Sequence, residues 1–243
     1  MNWHDRYRQQ ARWTRDLRAY LFARAGLAHA RRVIEVGCGT GALLMDLETP
    51  AELHALDLDS QRLGEARQHA PSARLVCGDA LCLPYPSATF DITFCHFLLL
   101  WVSDPLRALG EMKRVTRAGG AVLAFAEPDH TARRDEPASL IPLGRWQAES
   151  LRRQGADPSL GARLGALFQQ AGIPLVETGP LQITPGADPT RADRELEWAV
   201  LQADLADLVA PAQLQEMERL DQEAWQTGTR RLHVPTYFAY GVV

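Results

Sequence analysis

Gly37-Cys38-Gly39-Thr40-Gly41-Ala42 follows the apolar run Val33-Ile34-Glu35-Val36 and satisfies a permissive G-x-G-x-x-G/A pattern. A glycine turn of this kind lets the backbone approach a bound cofactor and commonly opens onto a nucleotide. No Gly-Lys-Ser/Thr follows the turn, which excludes a P-loop. Three carboxylates narrow the ligand further. Glu35 stands two residues before Gly37. Aimed at the turn, it would repel a pyrophosphate and favour a cationic ligand, or bind the loop amides. Asp57 closes the next apolar run, twenty residues after Gly37, where an acid can accept hydrogen bonds from both ribose hydroxyls. Asp79, in "CGDA", ends a third run, where a carboxylate can take the amino group of an adenine. This set suits an adenosine with a charged amino-acid tail better than one with two phosphates.

Groups able to move a proton stand after the later apolar runs: His96, then Glu127, Asp129 and His130 in "AEPDH". His96 and Asp129 rank first as general bases for a hydroxyl or carbon-acid substrate. Their structural readings are a histidine hydrogen-bonded at a helix start and an acid capping a turn after Pro128.

Short apolar runs alternating with helical patterns must position these groups. "RRVIEV", "ELHALDLD", "ARLVCGD", "FDITFCHF" and "AVLAFAEPD" read as strands. "GALLMDLE" reads as a helix opening at the glycines, "SQRLGEARQHA" as a helix with Ser60 at its cap, and "DPLRALGEMKRVT" as one capped by Asp104 with Pro105 first. That order predicts an α/β fold, a parallel Rossmann-like sheet with helices on both faces. Its strand ends would share one crevice. Residues 3–25, with Trp3, Tyr7, Trp13, Leu17, Tyr20 and Leu21 on one face, predict a leading helix. After residue 130 come two helices within 137–172, a strand "IPLVETGPLQIT", two acidic helices in 189–227 broken at Pro211, and a last strand "RLHVPTYFAYGVV".

Taken together, "VIEVGCGTG", "LDLD", "GDALCLPYPSATFD" and "DPLRALGEMKRVTRAGG" resemble class I S-adenosylmethionine-dependent methyltransferases, in the small-molecule branch related to ubiquinone-biosynthesis C-methyltransferases. The resemblance covers roughly residues 30–130, with "IPLVETGPL" and "PTYFAYG" as antiparallel end strands. It implies a seven-stranded, mostly parallel sheet with an antiparallel last strand, in a single domain. That domain divides into an N-terminal helical cap (1–30), a cofactor-binding core (31–130), a helical lid (131–172), an acidic helical insertion (188–227) and the last strand (228–243). By position it makes Gly37, Gly39 and Gly41 the turn under the methionine part of S-adenosylmethionine, and Glu35 the acid bracing it. Asp57 becomes the ribose acid and Leu58 the adenine lining. Asp79 and Ala80 become the pair on the adenine edge, and Cys95 and His96 fall where methyl donor and acceptor meet. Tyr7 and Trp13 would belong to a helix closing over the cofactor. "RAGG" departs from the family's Lys-Pro-Gly-Gly; Gly119 and Gly120 read as turn residues. Cys38 reads as a small filler within the loop and Asp59 as a helix-initiating acid. S-adenosylhomocysteine is the implied product, and in-line displacement governed by positioning is the implied mechanism.

Composition bounds the rest. The chain has 243 residues, a net charge of −4 and a pI near 6.0, which argues against a nucleic-acid partner and for a small-molecule acceptor. No N-P-P-Y motif follows the fourth strand. No apolar run suggests a membrane span or a secretory signal. Cys38, Cys77, Cys82 and Cys95 form no C-x-x-C pair, and a cytoplasmic protein with reduced thiols and no metal is expected. Residues 1–32 carry eight arginines against two acids, and residues 188–226 ten acids against three arginines. These are either two solvated faces or a helix and an insertion that meet, within one chain or across a homodimer. Trp146, Trp198 and Trp225 can line an acceptor lid or a dimer interface. Two other functions fit the loop: a non-catalytic scaffold or sensor that binds the same cofactor, and an NAD-dependent reductase. The reductase lacks a Tyr-x-x-x-Lys set, since Lys113 is the sole lysine.

Overall fold

The computed structural model describes residues 2–181 and 189–243. Two helices, α1 (Trp3–Trp13) and α2 (Arg15–Arg24), precede five strands. These are β1 (Arg32–Val36), β2 (Glu52–Asp57), β3 (Arg74–Cys77), β4 (Phe90–Cys95) and β5 (Thr116–Pro128), with α3 (Ser60–His69) after β2 and α4 (Pro105–Val115) after β4. The second half holds β6 (Arg134–Glu136), α5 (Ile141–Arg153), α6 (Leu164–Gln170), β7 (Leu175–Pro180), α7 (Arg191–Leu205), α8 (Pro211–Gln226), β8 (Arg231–His233) and β9 (Thr236–Val242). Seven strands form one sheet in the order β3-β2-β1-β4-β5-β9-β7, and β6 pairs with β8 apart from it.

The first five strands pair in parallel, and β9 runs antiparallel to both β5 and β7. Of the two expected antiparallel end strands, only β9 therefore opposes the rest. Parallel strands must be covered on both faces. Here Val36, Met112 and Phe168 bury on one face, and Val33, Phe22 and Phe125 on the other. β1 and β4 end side by side, Val36 opposite Cys95, so the glycine turn and His96 leave the same edge.

Several elements differ from the sequence expectation, each for a local reason. The leading helix breaks at Thr14, whose hydroxyl turns back to the Ala11 carbonyl at 3.3 Å. "GALLMDLE" forms only a 3-10 turn, Leu44–Asp46; Ala42, Leu43 and Leu44 are all buried, so the segment offers no single helical face, and Pro50 closes it. Asp59, not Ser60, caps α3, because its carboxylate accepts from the Gln61 and Arg62 amides. "RAGG" lies inside β5 as a register shift: Phe90 pairs with Thr116 but Ile92 with Ala121. Gly119 there has φ +73°. "RLHVPTYFAYGVV" is two strands, since Pro235 has no amide to donate. The end of "IPLVETGPLQIT", residues 182–184, and the first residue of the 188–227 insertion lie outside the described residues.

The expected lid of residues 131–172 also divides. α6 packs Leu164, Leu167 and Phe168 into the sheet core. α5 instead joins α7 and α8 around Leu140, Leu143, Trp198, Leu201 and Leu205. Trp198 is buried with its indole N–H on Asp221 at 2.8 Å, and Trp146 packs against the same cluster. These two tryptophans hold the helical layer together rather than facing an acceptor; Trp225 lies under the Arg194 guanidinium. Beneath the layer, Asp135 accepts from Arg133 and Arg230 at 2.8 Å each, and Arg230 donates onward to Asp221. All four side chains are nearly inaccessible, so each charge depends on its partners.

Candidate active site

The turn after β1 is held from below by backbone and from beside by Asp57. The Gly37 and Cys38 amides donate to the Leu56 carbonyl at 2.7 and 3.0 Å. Asp57 accepts from the Gly39 amide at 2.6 Å and from the Asp59 amide at 2.9 Å. Gly37 and Gly39 have φ of +77° and +52°, a region other residues enter at a cost. A methyl group added at Gly39 would sit 3.1 Å from the Tyr7 ring, so α1 lies directly on the turn. His4 fixes it there, with Nδ1 2.8 Å from the Thr40 hydroxyl and its ring stacked 3.6 Å from His69.

Behind the turn a carboxyl and a guanidinium are both buried, near enough for one charge to act on the other, and each has an atom left over. Glu35 is buried, and its Oε2 has no hydrogen-bond partner; neither does Nη1 of buried Arg18 on α2. Burial pushes the Glu35 carboxyl up to about 8, against the pull of the Arg18 guanidinium. Orphaned buried polar atoms of opposite sign are costly unless something completes them. An ammonium and a carboxylate on one amino acid have the chemistry to complete both. Sequence reasoning singled out Glu35 and missed Arg18. The arginine excess of residues 1–32 was visible, but which arginine turns inward depends on the break at Thr14.

Other expected cofactor residues occupy varied places. Cys38 is buried in the turn, and burial pushes its thiol far up, as befits a filler. Cys95 is wholly buried at the end of β4, its thiol raised in the same way. Asp79 is exposed, with Oδ1 on the Leu81 amide at 2.8 Å, and Ala80 beside it is buried. Leu58 is exposed next to Asp57. Tyr7 meets the turn, whereas Trp13 is exposed and lies 5.0 Å from the Arg6 guanidinium that covers it.

Just after β4, His96 is buried with Nε2 3.0 Å from the Thr14 hydroxyl. Burial, and the Arg18 charge nearby, hold it well below the usual histidine range, so it is neutral. The next residue, Phe97, has φ +52°, a strained bend that redirects the chain at the sheet edge. Asp129 instead holds a turn: Oδ1 accepts from the Thr131 amide and hydroxyl and the Ala132 amide. Glu127 accepts from the Leu98, Leu99 and Leu100 amides, and burial still raises it to about 7. His130 keeps an unpartnered buried Nδ1, and burial, with Arg133 nearby, lowers it to about 4.

The arginine-rich start and the acidic insertion do meet, within one chain. Arg6 Nη1 lies 2.7 Å from Glu197, and Gln9 and Arg12 reach Asp193 at 3.1 and 2.8 Å. α1 thus spans from the glycine turn to α7.

Residues 34–124 match the model of a methyltransferase domain. The chain is 41% identical over 101 residues to a malonyl-[acyl-carrier protein] O-methyltransferase of Halorhodospira halophila, covering 39% of this chain and 34% of that protein. It is 39% identical over 114 residues to a demethylmenaquinone methyltransferase of Deinococcus radiodurans, covering 44% of this chain and 47% of that one. Among solved structures, the [4+2]-cyclase SpnF superposes with a TM-score of 0.59 at 21% identity, covering 93% of this chain and 79% of that one. The matched region therefore spans less than half of either curated relative. Strand order, glycine turn and family match agree: residues 34–124 form a methyltransferase domain, on a sheet shared with the solved neighbours.

Proposed function

We propose that the protein transfers a methyl group from S-adenosylmethionine to a small-molecule acceptor. The observation that carries this reading is the two unpartnered buried atoms, Glu35 Oε2 and Arg18 Nη1, behind a glycine turn that Asp57 braces. Glu35 would take the ammonium and Arg18 the carboxylate of the amino-acid part. Asp57 keeps free lone pairs for the ribose hydroxyls, and Asp79 and Ala80 stand at the adenine edge. When bound, the cofactor supplies a methyl group on a sulfonium, with its leaving group already activated.

What remains for the chain is to align the acceptor and exclude water. Tyr7 and His4 roof the turn. His96, neutral and hydrogen-bonded to Thr14, and His130, neutral with an open nitrogen, are the groups suited to accept an acceptor's proton. The relatives' names supply two kinds of acceptor, a malonyl group on a carrier protein and a demethylated quinone. SpnF supports the alternative of a class I fold with another use. One experiment separates these: a thermal shift with S-adenosylhomocysteine and with NAD, followed by methyl transfer to each acceptor. Stabilisation by the homocysteine compound alone, lost in Asp57→Ala, and a methylated product support the proposal. Binding without transfer to any acceptor leaves the scaffold reading, and an NAD response overturns both.

A further inference from the structure

Thr14 stands at the break between α1 and α2 and is wholly buried. A threonine there ordinarily caps the second helix by accepting one of its free amides. This one makes no such cap. Its hydroxyl lies 3.3 Å from the Ala11 carbonyl and 3.0 Å from Nε2 of His96. A hydroxyl has one proton to give, and a carbonyl can only accept. Both contacts are therefore hydrogen bonds in one arrangement alone: the hydroxyl donates to Ala11, and its oxygen accepts from Nε2–H of His96. The reverse arrangement leaves the Ala11 contact without a proton and puts a proton on Nδ1 with no acceptor among the described residues. Ala11 also lies in the last turn of α1, where carbonyls lack an intrahelical amide, so the first arrangement fills that need.

The His96 ring is neutral, held so by burial and by Arg18. A neutral imidazole with its proton on Nε2 keeps a lone pair on Nδ1. That nitrogen makes no hydrogen bond among the described residues and, unlike Nδ1 of His130, is not sealed from solvent. Its surroundings adjoin the glycine turn. His96 follows Cys95, which pairs with Val36, and a methyl group added at Gly37 would meet the Leu98 side chain at 2.6 Å. The Arg18 charge acts on both Glu35 and His96, so the three side chains share one neighbourhood.

We infer that Thr14 is a positioning residue: its hydroxyl fixes His96 as the Nε2–H tautomer, and the Nδ1 lone pair accepts the proton of the methyl acceptor. The second half rests on the proposed methyl transfer; the first half does not. In that reaction the acceptor's electron pair forms the bond to the methyl carbon as the carbon–sulfur bond breaks. Sulfur keeps the bonding pair, and the acceptor's proton passes to Nδ1. An acceptor with a proton at its reacting end, such as a phenol or a carbon acid, gains from this arrangement. A carboxylate has no proton to give and gains nothing.

The test is nitrogen-15 NMR of the whole protein with labelled histidines, the His96 signals being identified by their loss in His96→Gln. At pH 7 the native protein should show Nε2 protonated and Nδ1 unprotonated. Thr14→Val keeps the side-chain shape and removes the hydroxyl, so both tautomers should appear, and Thr14→Ser should restore the single one. Equal thermal shifts with S-adenosylhomocysteine in the native protein and both Thr14 variants show an intact fold. An Nδ1–H tautomer in the native protein, or a tautomer unchanged in Thr14→Val, overturns the inference. Turnover is then read with a naphthohydroquinone and with a malonyl carrier protein, one acceptor with a proton at its reacting end and one without. With the first, Thr14→Val should lower kcat about tenfold while KM for S-adenosylmethionine is unchanged, and Thr14→Ser should recover it. An unchanged kcat, or transfer confined to the malonyl carboxylate, overturns the role of Nδ1 as base. If the tautomer is as expected and neither acceptor is methylated, the hold of Thr14 on His96 stands and the proposed reaction falls.

Discussion

The two sides of the crevice are assembled in opposite ways. On the cofactor side, the contacts that shape the turn join residues near in sequence: Asp57 to Gly39 across eighteen positions, Asp59 to its own helix start. Around the helical layer they join distant segments: Arg6 to Glu197 across 191 positions, Arg230 to Asp135 across 95. A local motif can be inherited as a unit and keeps one ligand. A surface assembled from α1, α5, α7 and the chain after β5 can be rebuilt one segment at a time. That difference matches the comparisons: a methyltransferase-domain model matches residues 34–124, and relatives alike over 101 and 114 residues are named for different acceptors.

The contrast can be broken most sharply beneath the helical layer. Asp135→Ala leaves the buried guanidiniums of Arg133 and Arg230 without their common partner, and denaturant unfolding should show a loss of about 3–5 kcal/mol. A loss under 1 kcal/mol would show that the layer does not depend on the network. On the other side, Asp57→Ala should weaken S-adenosylhomocysteine binding about a hundredfold, since it removes the brace on Gly39 and two ribose acceptors. Arg18→Met should cost about tenfold in the same titration while acceptor KM changes little, provided Arg18 serves only the cofactor.

Arg6→Ala should do the reverse. It unties α1 from α7, costs about 2 kcal/mol and raises acceptor KM more than it weakens the homocysteine compound. Equal effects on both ligands would erase the division between the two sides. The smallest effect expected is a proton count. With its carboxyl at about 8, Glu35 is protonated at pH 7 in the free protein, and an ammonium beside it favours the charged form. Binding at pH 7 should release roughly one proton, read from calorimetry in buffers of different ionisation heat, and the release should fade above pH 8 and vanish in Glu35→Gln. The same raised value means Glu35 favours the folded state at low pH and that its contribution is lost as pH rises from about 4.5 through 8.

Legibility in the sequence followed the range of the contacts. The parallel strands were readable because each buries a short apolar run, and Asp104 with Pro105 marked the start of α4 as expected. The one-turn "GALLMDLE" and the register shift at Gly119 were not, because each is decided by packing against neighbours rather than by local preference. Glu35, Asp57 and the glycines could be singled out by spacing from one strand end. Arg6, His4 and Thr14 could not, because their partners lie tens to hundreds of positions away, and Arg18 could not, because only packing decides which arginine of α2 is buried. Charge asymmetry did foreshadow that the first helix and the acidic insertion meet, but not which residues pair.

By itself, then, the sequence determined a strand, a glycine turn and two acids in the order an adenosine cofactor requires, because those contacts close within one β-turn-β unit. Tertiary structure alone decided that Arg18 is buried with Glu35, each with an unpartnered atom, that α1 roofs the turn and that His130 shares a cavity wall with several arginines. Those features depend on burial and on charges brought together from distant segments, and no local pattern records which of many arginines will lose its water.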